Sequence, residues 1–260
     1  MSLLVVERLT RSFGGVRAVQ DLSFAIPAGG THSIIGPNGA GKTTLFNLVT
    51  GVLRPTRGSI RFKGEEIAGL PPERLAARGI SRTFQNLQIF FNMSVVENVL
   101  VGSHLSLDRN VLRALLRLPR LRRVERRARR EAEALLERVG LAEWRDAPAD
   151  SLPYGALKRL EIARALAGRP ELLLLDEPAA GCNDRETREI EALLQSLVAD
   201  GITIVLVEHD MRLVMNVSDH IIVLDHGQML AEGDAEKVRN DPAVIEAYLG
   251  QAALAGGHAS

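Results

Sequence analysis

Ser33-Ile34-Ile35-Gly36-Pro37-Asn38-Gly39-Ala40-Gly41-Lys42-Thr43-Thr44 decides how this chain must fold. The first three residues read as a short apolar strand, and Thr44 to Val52 continues as a helix. Between them, Gly36 to Thr43 fills every position of the pattern Gly-x-x-x-x-Gly-Lys-Thr, in the strand-before, helix-after setting that the pattern requires. Glycines let consecutive backbone N–H groups converge on phosphate oxygens, and the helix start adds the positive end of its dipole. Lys42 is placed to reach the β- and γ-phosphates, and Thr43 to offer its hydroxyl to Mg2+. A flexible Gly-rich turn that happens to hold a lysine is the competing reading. The complete pattern in its proper setting favours a nucleotide site built from Gly36, Pro37, Asn38, Gly39, Ala40, Gly41, Lys42, Thr43 and Thr44.

A second acidic site belongs with this loop. Leu172-Leu173-Leu174-Leu175-Asp176-Glu177 reads as a buried strand ending in two acids, where α/β sheets present ligand groups. Asp176 can hold Mg2+ through its water shell, and Glu177 can orient or deprotonate an attacking water. The alternative is two acids that merely open a loop before Pro178.

Outward from these sites, Leu3 to Val6, Val19 to Ile26 and Ser59 to Phe62 read as strands, broken by Gly14-Gly15, Gly29-Gly30 and Gly64-Glu65. Pro71-Pro72-Glu73 opens a short helix, since proline suits a first helical turn. From about Asn86 to Leu157 the pattern becomes helical and charged. Strand–helix alternation then resumes at Leu172 to Leu175, after Asp184, at Ile202 to Val207 and at Ile221 to Leu224. This predicts a mainly parallel sheet with helices on its faces, an α/β core interrupted by a helical insertion. The expected division is 1–86 (first part of the core), 87–157 (helical subdomain) and 158–260 (second part of the core with a C-terminal helix).

The 32 basic and 32 acidic residues cancel, which argues against a globally basic nucleic-acid binder. One cysteine, Cys182, leaves no intrachain disulfide and fits a reducing compartment, and it reads as a small apolar residue. The N-terminus lacks the pattern of a secretion signal, and no apolar run approaches the roughly 20 residues that span a bilayer. A membrane role is therefore expected to be peripheral.

In the order of its motifs the chain resembles the ABC ATPase family over nearly its whole length. The order is the phosphate loop, Gln85 after Ser81-Arg82-Thr83-Phe84, a signature before Arg159, Asp176-Glu177, and His209 in Val207-Glu208-His209-Asp210. The resemblance implies a P-loop NTPase (RecA-like) core with N-terminal antiparallel strands and an inserted α-helical subdomain, and ATP with Mg2+ as ligands. It implies that Gln85 touches Mg2+ and senses a membrane partner, that His209 stands near the γ-phosphate, and that Phe13 stacks on adenine. An ordinary core phenylalanine is the other reading of Phe13. Glu177, His209, Gln85 and Lys42 become the candidate catalytic residues, with Thr43, Gln85 and Asp176 at the metal. The family's Leu-Ser-Gly-Gly-Gln aligns with Leu152-Pro153-Tyr154-Gly155-Ala156, where Pro153 removes the serine hydroxyl and Ala156 the glutamine amide. Gly155 and the helix after it keep the backbone contribution to an ATP held by a second subunit. Asn183 stands in place of a common aspartate.

Tyr154-Gly155, Glu177-Pro178-Ala179-Ala180-Gly181-Cys182-Asn183, Glu208-His209-Asp210-Met211 and Val244-Ile245-Glu246-Ala247-Tyr248-Leu249-Gly250 look like the ATPases of branched-chain amino-acid importers. Lipopolysaccharide-export and urea-import ATPases share parts of these motifs, and a soluble non-transport ABC ATPase is a more distant alternative. The implied partners are integral membrane permease subunits, a second ATPase subunit in a homo- or heterodimer and, indirectly, a substrate-binding protein, with no nucleic acid. The implied location is peripheral, at the cytoplasmic face of the inner membrane. Ser94 to Leu100 has apolar spacing that suits either a partner or the chain's own core. The ten arginines between Arg109 and Arg130 suit either anionic lipid or, preferably, a solvated helix face paired with Glu125, Glu131 and Glu133.

Overall fold

The computed structural model describes residues 2–83, 87–103 and 119–248. Strands are β1 (Ser2–Phe13), β2 (Val16–Pro27), β3 (Thr31–Ile35), β4 (Arg57–Phe62), β5 (Glu65–Glu66), β6 (Ile80–Arg82), β7 (Leu172–Asp176), β8 (Thr203–Val207), β9 (His220–Asp225) and β10 (Gln228–Gly233). Helices are α1 (Lys42–Val49), α2 (Pro72–Ala76), α3 (Val95–Gly102), α4 (Pro119–Arg138), α5 (Tyr154–Leu166), α6 (Asp184–Ala199), α7 (Met211–Val217), α8 (Ala235–Arg239) and α9 at 242–248.

The main sheet has the order β10-β9-β3-β8-β7-β6, parallel from β9 to β6 with β10 antiparallel at its edge. A four-stranded antiparallel sheet, β2-β1-β4-β5, stands beside it. Every residue of β3, β7 and β8 is buried, as expected of parallel strands covered on both faces. Their alternating side chains sort onto two cores. Leu173, Leu175, Ile204 and Leu206 face a cluster shared with α3, α4, α5 and α6. Leu172, Leu174, Val205 and Val207 face the antiparallel sheet and α1.

Register positions the site. Ile34 and Asp176 both pair with Val207, so β3, β7 and β8 end level with one another. The segments that leave their carboxyl ends, Gly36 onward, Glu177 onward and Glu208 onward, therefore emerge along one edge, where ligand groups of parallel sheets gather.

Several expectations shift. Helix α1 begins at Lys42 and stops at Thr50, ahead of a left-handed Gly51, rather than running from Thr44 to Val52. Strands β6 and β10 and helices α7 and α8 add to the expected elements. Val95, Val96 and Val99 are buried in the chain's own core, so the apolar spacing of Ser94 to Leu100 serves internal packing. A reciprocal Ser94–Glu97 capping box fixes the start of α3. In the described part of the arginine run, Arg127 pairs with Glu131 at 2.9 Å and Arg129 with Glu133 at 3.1 Å, in the i, i+4 pattern of a solvated helix face. Among the described residues no helix is long and apolar enough to cross a membrane.

Candidate nucleotide site

The loop after β3 is shaped by its glycines. Gly41 has φ +99°, and a Cβ there would lie 2.4 Å from the backbone carbonyl of Ala18. Only glycine combines that conformation with that approach. Inside the loop Ala40 N–H donates to the Pro37 carbonyl at 3.1 Å, and Gly227 N–H donates to the Ala40 carbonyl at 3.0 Å, tying the loop to the β9–β10 turn. Lys42 is buried and folds back onto its own loop, donating to the carbonyls of Gly36 at 2.6 Å and Pro37 at 3.0 Å. Burial lowers the Lys42 pKa, opposed by the charges of Glu177 and Asp176. The ammonium is thus held at the loop's concave side on two bonds that a phosphate can replace.

A cavity of about 290 Å³ opens on this loop, lined by Asn38, Gly39, Thr43 and Thr44 with Glu177 and His209 opposite. His209 Nε2 lies 3.0 Å from Glu177 Oε1, so the residue expected near the γ-phosphate and the one expected at the attacking water touch directly. Glu177 has φ +50°, a left-handed backbone rare for a residue with a side chain and costing about 1–3 kcal/mol. It is held there from both sides. Its N–H donates to the Val207 carbonyl at 2.8 Å, and its carbonyl accepts from Ala180 N–H and Lys158 Nζ, each at 3.2 Å. Glu208, buried and given no role of its own by the sequence motifs that contain it, locks the two acidic loops together. Its carboxylate accepts from Ala179 N–H at 2.9 Å and from His209 N–H at 2.7 Å.

Asp176 sits behind the cavity rather than in its wall. Its Oδ2 takes a hydrogen bond of 2.7 Å from Arg82, with both side chains almost fully buried. The same guanidinium donates to Asn47 and Thr50 of α1 and to the Thr83 carbonyl. Arg82 therefore joins α1, β6 and β7 behind the phosphate loop. Its site lies in Ser81-Arg82-Thr83-Phe84, but nothing local to that stretch announces a partner 94 residues away. Of the residues expected at the metal, Thr43 lines the cavity with its hydroxyl and Asp176 lies behind it with one carboxylate oxygen bound to Arg82; both are oxygen donors of the kind Mg2+ takes.

The remaining expected positions lie elsewhere. Gln85 falls outside the described residues. Phe13, exposed at the end of β1, is not part of the cavity wall, and the Arg11 guanidinium lies 4.5 Å from its ring centre. Gly155 lies in the first turn of α5, away from this chain's own loop, and its N–H donates to Glu186 Oε1 at 3.2 Å. Pro153, at the N-cap of α5, has no side-chain oxygen to cap the helix, and Glu186 from α6 supplies one instead. Asn183 caps α6 and completes a capping box with that same Glu186. Burial raises the Cys182 pKa, which keeps it a thiol rather than a reactive thiolate.

Known proteins fit this geometry. Residues 19–180 match the family model described as ABC transporter, and residues 228–253 match that of the branched-chain amino acid ATP-binding cassette transporter. The chain is 48% identical over 251 residues to the high-affinity branched-chain amino acid transport ATP-binding protein BraF of Pseudomonas aeruginosa, covering 96% of this chain and 98% of that protein. It is similar to the ADP conformation of an ATP-binding cassette of an ABC transporter, with TM-score 0.84, 33% identity, and coverage of 96% and 99% of the two chains. It is also similar to a dimeric cassette in a post-hydrolysis state bound to ADP and Pi, with TM-score 0.74, 25% identity, and coverage of 89% and 98%. A complete phosphate loop faced by an acid–histidine pair, on a sheet that these cassettes share, makes the chain an ATP-hydrolysing member of the ABC transporter ATP-binding family.

Proposed function

We propose that this chain is the ATP-driven motor subunit of an importer for branched-chain amino acids. The observation that carries the reading is the Glu177–His209 pair at 3.0 Å, set across one cavity from Thr43 and Thr44 of the phosphate loop. The relatives' stated role in branched-chain amino acid transport supports the choice of cargo.

In this reading the triphosphate of ATP lies on the backbone of residues 36–44, and Lys42 exchanges its two loop carbonyls for β- and γ-phosphate oxygens. Thr43 and Asp176 would hold Mg2+, which would neutralise charge on the phosphate oxygens. Glu177 orients the attacking water and draws its proton, and His209 keeps that carboxylate aimed while reaching toward the γ-phosphate. Phe13 offers an aromatic face to adenine, and Gln85 links the metal to the permease side. A second ATPase subunit, of the same or a related chain, closes the site with its own first turn of the helix at Gly155, and hydrolysis releases that contact. The dimeric cassette to which the chain is similar supports such pairing.

The division into 1–86, 87–157 and 158–260 belongs to this proposal, with 87–157 as the arm that meets the membrane subunits. A largely apolar cavity of about 380 Å³ between Val52, Phe90, Val101 and Arg164 suits a short amphipathic segment of a permease. The subunit then works at the cytoplasmic face of the inner membrane, and cargo is chosen by the permease and a substrate-binding protein. The test is reconstitution with its membrane subunits in vesicles. Leucine-loaded binding protein is expected to raise ATP hydrolysis and drive leucine uptake. Uptake of a different solute class, with no response to leucine, isoleucine or valine, would overturn the choice of cargo.

A further inference from the structure

Lys158 is a buried cation for which the mechanism above has no use. The residue is 2% exposed, and lysine is almost never fully buried unless it is paired. Two groups meet its ammonium: the backbone carbonyl of Glu177 at 3.2 Å and the face of Tyr154, with the ring centre 5.8 Å away. Desolvating an ammonium for one neutral carbonyl and one ring is a poor exchange for stability, and an apolar side chain of similar length would fill the space at less cost. The charge is therefore kept for what it does to Glu177.

Glu177 needs holding because its left-handed backbone is strained. Lys158 approaches from α5, the helix whose first turn carries Tyr154 and Gly155. That helix is pinned to the segment following Glu177 at two further points: Gly155 N–H on Glu186, and Arg159 on Glu189 at 3.4 Å. Lys158 thus links the helix that starts at Tyr154-Gly155 directly to the Glu177 peptide. We propose that Lys158 is a positioning residue for hydrolysis, fixing the Glu177 backbone and coupling it to the helix start that meets the nucleotide of the second subunit. This rests on the reading of Glu177 as the water-orienting group.

The test is a double-mutant cycle on the full chain with Mg-ATP, using K158M, E177Q and the double variant. Steady-state kcat and KM, single-turnover rates, ATP-analogue affinity and melting temperature are read for each. K158M is expected to keep its melting temperature and analogue affinity, to hold KM within about twofold, and to lose about tenfold in kcat, equivalent to about 1.4 kcal/mol. The double variant is expected to be no slower than E177Q, because Lys158 acts through Glu177. K158R, which keeps a cationic donor, is expected to recover most of the rate. Should K158M melt below the assay temperature, K158Q is read in its place, with a kcat loss of about threefold or more at unchanged KM expected. Unchanged kcat in K158M, or a K158M penalty that persists in full on E177Q, overturns the inference while leaving Glu177 in its role. Near-normal turnover of E177Q overturns the reading of Glu177 and the inference with it.

Discussion

Replacing Arg82 by methionine removes the cation that faces Asp176 and leaves a carboxylate in a pocket where the two side chains are only 7% and 3% exposed. Breaking one partner out of a buried pair costs about 3–5 kcal/mol, because the remaining carboxylate loses the hydrogen-bonded cation that offset its desolvation, with Lys42 acting on it only through space. Arg82 also donates to Asn47, Thr50 and the Thr83 carbonyl, so α1 and β6 lose their common anchor as well. These bonds belong to one network, and their losses do not simply add to that figure. At about 2–4 °C per kcal/mol for a chain of this size, the melting temperature should fall by on the order of 10 °C. The measurement is thermal unfolding in EDTA without nucleotide, so that neither ligand masks the change. A diagnostic companion is R82M with D176N. Neutralising the stranded carboxylate removes most of the penalty, and the double variant is expected to regain at least half of the lost stability. If R82M melts within about 2 °C of the wild type, or the double variant is no more stable than R82M, the pair does not hold the sheet to α1 as argued.

Two further outcomes follow from local geometry. Gly41→Ala places a methyl 2.4 Å from the Ala18 carbonyl at a φ of +99°, so the loop must distort; Mg-ATP affinity measured by calorimetry should fall at least tenfold, about 1.4 kcal/mol. Burial lowers the His32 pKa below 6.5, with the His220 charge adding to the shift and the Gly29 carbonyl and Asp219 opposing it. The unfolded chain then binds more protons than the folded one below about pH 6.5, so stability is full above that pH and falls as pH drops through the lowered folded value. Urea unfolding of H32Q across that window should show a shallower acid limb than the wild type, and an equal slope would remove His32 from the account.

Much of this architecture was legible from short-range patterns. The loop from Gly36 to Thr43 carries its own geometry, and the runs Leu172 to Leu175 and Ile202 to Val207 are apolar enough to announce the buried parallel strands β7 and β8. Helix α6 was readable after Asp184, while the capping box that Asn183 and Glu186 form at its start emerges only in the structure. What escaped the sequence depends on contacts across the fold. Strand β6 is three residues long and exists because Ile80 to Arg82 pair with β7. Strand β10 is half-exposed along its length and is defined by its pairing with β9. Arg82, Lys158 and Glu208 look like ordinary charged residues, and only the level ends of β3, β7 and β8 bring their partners within reach. The signature region shows the same limit. Pro153 and Ala156 read as losses, whereas the fold supplies a replacement cap from Glu186 in another helix.

In the proposed mechanism Glu177, braced by His209 and lining the same cavity as the phosphate loop, drives hydrolysis of a nucleotide that the loop binds without its help. The most direct measurement compares Mg-ATP affinity and single-turnover hydrolysis of the wild type with Glu177→Gln, an isosteric change that keeps a side chain able to bond His209. Affinity is expected to be unchanged, or tighter as an undischarged complex accumulates, with hydrolysis slowed by about 10²-fold or more, in the range of lost general-base catalysis. Hydrolysis within a few-fold of the wild type, with the fold and affinity intact, would contradict that mechanism.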